Sequence, residues 1–260
     1  MKITILGARG SIPIEGKKFL EFGGLTSCVL CETKTEAVFI DAGTGLLNAP
    51  IITDKNVSML LTHPHLDHLI GLPFFPLLSK KNQIIDFYAG THEGLNAEKL
   101  LDGLFSPPYW PCKISDYPAD FRCHELSLPL QIGDVTIEAI KSNHPGESFI
   151  FKVTSEGKSF VYATDYEYKQ ENAKDLIDFS RNADLLCFDS QYTDEEYLSK
   201  KGYGHSTISQ GMEIFKESKA KAMRFVHHNP SYDDEFLRSL EKSIKNENVS
   251  IARINEVITL

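Results

Sequence analysis

Three imidazoles and a carboxylate crowd into the stretch THPHLDH, Thr62 to His68, directly behind the apolar run VSMLL. In an extended segment, residues two apart project to the same side, so His63 and His65 share a direction. Asp67 and His68 follow where a helix is expected to begin, in DHLIGLPFF, and the turning chain aims this second pair at a neighbouring point. Buried without a cation, such groups would repel one another or lie unsatisfied. The pattern predicts two adjacent cations, one on His63 and His65 and the other on Asp67 and His68. Four ligands cannot complete two sites, so the fold must deliver more from elsewhere in the chain.

Candidates stand where other apolar runs end. KITIL, AVFID, VSMLLT, SFVYATD, ADLLCFD and AMRFVHH are short, β-branched and aromatic, and read as strands. Behind them lie His144 in SNHPGES, Asp165 in YATD, and His227 or His228 in FVHHNP. His92 and His124 lack that context and are read as ordinary core or surface residues. Helical patterns run through HEGLNAEKLLDGLF, TISQGMEIFKESK and DDEFLRSLEKSIKN. Strands interleaved with helices, together with the hairpin-like FIFKVTSEGKSFVYATD, predict an α/β fold of mixed sheets covered by helices. Such folds place their sites at strand ends. The Pro-rich, aromatic segment Leu104 to Phe121 reads as a long loop, either a lid or substrate wall or a rigid packing loop.

Composition narrows the partners. With 260 residues, 42% of them hydrophobic, the chain can bury a large core, and without a linker or repeat it is read as one domain, 1–260. A formal charge of -9 disfavours large RNA or DNA, whose affinity depends on neutralising phosphates. No run approaches the roughly 20 apolar residues of a membrane span, and MKITILGARG lacks a signal-peptide core, so a soluble, cytoplasmic protein is expected. The five cysteines are odd in number and argue against a disulfide framework, while Cys28 and Cys31 have no second pair at zinc spacing.

The ordered set THPHLDH, NHPG, ATD and VHH resembles the metallo-β-lactamase superfamily, and FIDAGTG, Phe39 to Gly45, looks like that family's early strand and turn. The resemblance implies an αββα sandwich of two mixed β-sheets with outer helices and a dinuclear site on one edge. It implies one metal on His63, His65 and His144, the other on Asp67, His68 and His227, and Asp165 bridging them. Asp41 would support the ligand loops from behind. His227 is preferred to His228 because it aligns with the ligand after the family's last core strand. Zinc is favoured, with manganese or iron admitted by the same donors. Two cations, two carboxylates and a bridging hydroxide leave a net charge of about +1, suited to a small anionic phosphodiester.

The second half, LLCFDSQYTDEEY to KGYGHSTISQGMEI and AMRFVHHNP, resembles the RNase Z branch and its relatives among small bacterial cyclic-phosphodiesterases. On that match Asp189 orients His205, which protonates the leaving group. Asp67, His205 and Asp189 would then carry catalysis, Asp67 also as a ligand. Ser206 or Thr207 would cap the following helix. The expected reaction is hydrolysis of a cyclic nucleotide or another small cyclic phosphodiester. Alternatives are a tRNA 3′-processing endonuclease, which here lacks a long basic insertion, and a thioester or lactone hydrolase, which would not need His205. The resemblance is also compatible with a homodimer.

Overall fold

Successive residues of a strand face opposite ways, so a strand covered on both faces must be apolar throughout. Strands β1 (Lys2–Gly7), β2 (Cys28–Glu32), β3 (Glu36–Ile40), β4 (Asn56–Leu60), β5 (Ile84–Ala89) and β6 (Asp120–Glu125) follow in chain order. They are succeeded by β7 (Leu130–Ile132), β8 (Val135–Lys141), β9 (Phe149–Ser155), β10 (Lys158–Ala163), β11 (Leu185–Asp189), β12 (Met223–Val226), β13 (Val249–Ile251) and β14 (Glu256–Thr259). In this computed structural model, which describes residues 1–260, they form two seven-stranded mixed sheets. Their orders are β14-β1-β2-β3-β4-β5-β6 and β13-β12-β11-β10-β9-β8-β7.

The alternation sorts each strand between layers. Val29, Cys31, Val38 and Ile40 meet Phe151, Val153, Phe160, Tyr162, Leu185 and Cys187 between the sheets. Cys28, Leu30, Phe39 and Met59 face outward, under Leu72, Phe75, Leu101 and Phe105. Val161, Leu186, Phe188 and Phe225 face outward on the other side, under Leu176, Ile214, Phe215 and Leu237. This is the αββα sandwich expected. Cys28 and Cys31, three apart on one strand, enter different layers, so they cannot converge on one ion.

The helices are shorter than the sequence pattern suggests. They are α1 (Ala97–Leu104), α2 (Ala173–Phe179), α3 (Asp194–Tyr197), α4 (Ile208–Ser218) and α5 (Asp234–Glu241). α1 begins only after Asn96, whose side chain accepts from the Lys99 N–H, and α5 after Asp233, which accepts from Phe236. α4 is capped by Thr207 in a reciprocal pair with Gln210, leaving Ser206 for another task. No α-helix forms behind Asp67; Leu66–His68 and Leu72–Phe74 are isolated 3-10 turns, because Gly71, Pro73 and Pro76 interrupt the run. In the Leu104–Phe121 loop, Trp110 packs edge-on against Phe74 and Phe105, as a packing anchor does, while Tyr109 is exposed. No helix is long and apolar enough to cross a membrane.

Candidate metal centre

Parallel pairing aligns the carboxyl ends of β3 with β4 and of β10, β11 and β12 with one another. Each of these ends delivers polar groups to the same rim. β3 is followed by Asp41, β4 by Thr62 and His63, β10 by Asp165 and β12 by His227, while β11 ends on Asp189 itself. The chain bends sharply there. Asp41 (φ 63°), Asp165 (φ 50°) and His227 (φ 62°) all adopt left-handed backbone, as does Ser11 (φ 63°). That conformation costs an L-residue about 1–2 kcal/mol, and each fully buried Phe or Leu behind it contributes about 1.5–3 kcal/mol. The core can therefore hold the strain, and strained rims of this kind gather at functional sites.

Seven side chains converge. His63 Nε2 lies 2.9 Å from His65 Nδ1, and His144 Nε2 lies 3.3 Å from the same atom. Asp165 Oδ2 stands 3.6 Å from His63 and 3.7 Å from His144. On its other side Asp165 Oδ1 is 3.2 Å from His68 Nε2 and 3.3 Å from His227 Nε2. Asp67 Oδ2 faces the same two nitrogens at 3.3 and 3.2 Å. One carboxylate thus presents an oxygen to each of two donor groups, one containing His63, His65 and His144 and the other Asp67, His68 and His227.

The outer nitrogens show which atoms are bare. His144 Nδ1 donates to the Gly204 carbonyl at 3.0 Å, and His68 Nδ1 donates to Asp41 Oδ2 at 2.7 Å. The Thr62 hydroxyl donates to Asp41 and accepts from His63 Nδ1 at 3.0 Å. The rings of His63, His68 and His144 thus use Nδ1 outward and turn Nε2 inward, and buried His68 Nε2 has no hydrogen-bond partner. Such a donor set fits divalent cations, and its outer contacts are those that orient metal-binding imidazoles.

Charge within the cluster follows burial and neighbours. Burial, with His68 beside it, drives the His63 pKa well down; burial also lowers those of His65 and His144. For His227 burial opposes charging, but Asp165, Asp67 and Asp189 outweigh it and raise the pKa to about 9. Burial likewise disfavours charge on Asp67 and Asp165, yet the facing histidines hold both below the usual carboxylate range.

His228, by contrast, turns away. Its Nε2 donates to the Ala252 carbonyl at 3.0 Å, and burial and Arg9 push its pKa down to about 3. His92 packs against Phe149, and His124 pairs with Asp86 at 2.7 Å, both apart from the cluster.

His205 and Asp189 meet beside it. His205 Nδ1 lies 2.7 Å from Asp189 Oδ2, and its ring stacks on His227 at 4.7 Å between centroids. Asp189 is fully buried, and its other oxygen accepts from the Gln191 and Ser206 N–H groups, each at 3.1 Å. A ring nitrogen of His205 comes within 4.8 Å of donor atoms of Asp165 and His227.

Sequence reasoning overlooked Ser11, whose N–H donates to Asp67 Oδ2 at 2.8 Å, and Gly10, where a Cβ would fall 2.5 Å from the His227 ring. Nothing local in the sequence ties the Gly10–Ser11 turn to Asp67, 56 positions from Ser11. Thr62 was hidden by its neighbours in the motif.

A His/Asp cluster of this composition on the edge of an αββα sandwich defines a metal-dependent hydrolase. Residues 37–228 match the family described as the Beta-lactamase superfamily domain, and the chain belongs to it. It is 26% identical over 268 residues to the probable metallo-hydrolase YhfI of Bacillus subtilis, covering 97% of each chain. It is 36% identical over 247 residues to ribonuclease Z of Pyrococcus furiosus, covering 76% of this chain and 78% of that one. A crystal structure of a diphosphatase from the PhnP family shares the fold, with a TM-score of 0.74, 17% identity, and coverage of 100% of this chain and 97% of the other.

Proposed function

We propose that residues 1–260 form one hydrolase domain that cleaves a small anionic phosphodiester, with a cyclic nucleotide as the favoured substrate. The observation that carries this reading is the Asp189–His205 pair set beside the cluster, since metal ligands alone do not distinguish ester, lactam and phosphodiester hydrolysis. His63, His65 and His144 would hold one divalent cation and Asp67, His68 and His227 a second, with Asp165 between them. Zinc is favoured, and manganese or iron suits the same donors. When bound, the pair of cations would polarise a phosphoryl oxygen and acidify a water.

The chain's own residues do the rest. Asp41 fixes the His68 ring through Nδ1, and the Ser11 N–H holds Asp67. Asp189 accepts a hydrogen bond from the Nδ1–H of His205 and orients the ring, so that its imidazolium form can give the Nε2 proton to the departing sugar oxygen. The formal charge of -9 supports a small substrate over a polymer.

A tRNA 3′-end endonuclease is the second reading, supported by the match to ribonuclease Z. A panel of cyclic nucleotides, a bis-aryl phosphodiester, a thioester and pre-tRNA, run after metal reconstitution, tests both. Turnover of the thioester alone would overturn the phosphodiesterase reading, and preference for pre-tRNA would select the second.

A further inference from the structure

Glu167 is a carboxylate only 3% exposed, two residues beyond Asp165. Its partners are neutral donors. Oε1 accepts from the Gly202 N–H at 2.7 Å and from the Tyr197 hydroxyl at 3.1 Å, and Oε2 accepts from the Gly204 N–H at 3.3 Å. Gly202 (φ 88°) and Gly204 (φ 89°) both have left-handed backbone, so their N–H groups can converge on one anion. A buried carboxylate is held this way only if its acceptors are filled, and removing it leaves two loop N–H groups without their partner.

The loop so gathered carries both halves of the site. Gly204 presents the carbonyl that receives the His144 Nδ1 proton, and a Cβ at Gly204 would fall 2.1 Å from that nitrogen. The next residue is His205. Glu167 also reaches the His144 side through its backbone. Its N–H donates to the Asn143 carbonyl at 2.9 Å, and the Asn143 side chain donates to its carbonyl at 2.6 Å. Beyond His205, the Ser206 hydroxyl donates to the Tyr166 carbonyl at 2.5 Å and accepts from the Tyr168 N–H at 2.9 Å. The segment after Asp165 therefore grips the His205 loop on both sides of the histidine.

We infer that Glu167 is a positioning residue that sets the distance between the proton donor His205 and the cluster containing His144 and Asp165. It touches no reacting atom and acts through the Gly202–His205 loop. The kinetic part of this inference rests on the reading of His205 as proton donor; the structural part does not.

The test compares Glu167→Ala, Glu167→Gln and His205→Ala in the full chain. Amide hydrogen exchange at Gly202 and Gly204 should speed up at least tenfold in Glu167→Ala, with smaller changes at amides of the β10–β11 core. In the metal-reconstituted enzyme, Glu167→Ala should lower kcat about 10–100-fold for a diester with an alkyl leaving group. It should cause less than about threefold further loss when added to His205→Ala. Glu167→Gln keeps one acceptor oxygen and should fall between wild type and alanine in both measurements; it also serves if the alanine variant does not fold. Wild-type exchange at the two glycines would overturn the inference, as would a kinetic loss that multiplies in full with that of His205→Ala. Unchanged phosphodiester turnover in His205→Ala would defeat the proton-donor reading separately, and the exchange rates would still decide the role of Glu167.

Discussion

Replacing His205 with alanine isolates one proton. In the structure the ring is only 8% exposed and is held at Nδ1 by a fully buried Asp189, 2.7 Å away. The hydroxyl beside it, on Tyr192, is pushed up to about 12 by burial and by Asp189, too weak an acid to substitute near neutral pH. A positioned general acid contributes about 10²–10⁴-fold. A loss on the order of 10³-fold is therefore expected for a substrate that expels an alkoxide, equivalent to ~4 kcal/mol of barrier. Bis(p-nitrophenyl) phosphate releases a stabilised anion that scarcely needs a proton, so its loss should stay below about tenfold. The assay is kcat for a cyclic nucleotide and for the nitrophenyl diester, on wild-type and His205→Ala protein reconstituted with the same metal and checked by elemental analysis. Equal losses on the two substrates, at equal metal content, would refute the general-acid role.

Three further outcomes are expected. Asp41→Asn removes the carboxylate that orients His68 and Thr62 and should weaken metal binding about 10–100-fold in a chelator competition; unchanged affinity would show that Asp41 serves only the turn. Gly204→Ala places a Cβ 2.1 Å from His144 Nδ1 on a backbone of φ 89°, and should lower stability by about 1–3 kcal/mol in denaturant unfolding. A wild-type midpoint would mean that the loop yields freely. In metal-stripped protein, His227 has a pKa raised from 6.5 to about 9, so its contribution is fully present below pH 6.5 and is lost as pH rises through 9. Asp67 and Asp165, with lowered pKa values, stay ionised throughout that window. The Tm of the stripped protein should therefore fall from pH 6.5 to 9, while that of the metal-loaded protein holds; parallel profiles would contradict this.

Much of this was readable along the chain because it is local. Strands buried on both faces must be apolar, so β3, β10 and β11 and the polar residues behind them stood out. The spacing of His63, His65, Asp67 and His68 likewise sets directions over a few residues, and the polar ends of YATD, ADLLCFD and AMRFVHH marked the other candidates. The expected α-helix behind Asp67 failed because Gly71 and two prolines outweighed the apolar pattern.

What the chain order could not convey is apposition between distant segments. His227 and His228 are equivalent as letters; packing of β12 against β13 turns His228 to the Ala252 carbonyl and leaves His227 facing Asp67, 160 residues away. The same applies to Ser11 on Asp67, to Glu167 beneath the Gly202–His205 loop, and to the two oxygens of Asp165 that face different donor groups. The kinds of donors and the strand ends that carry them are legible along the chain, because periodicity and turn chemistry act over a few residues. Which atoms meet is set by the packing of the two sheets, one of β1–β6 closed by the C-terminal β14 and the other of β7–β13, at the edge they share.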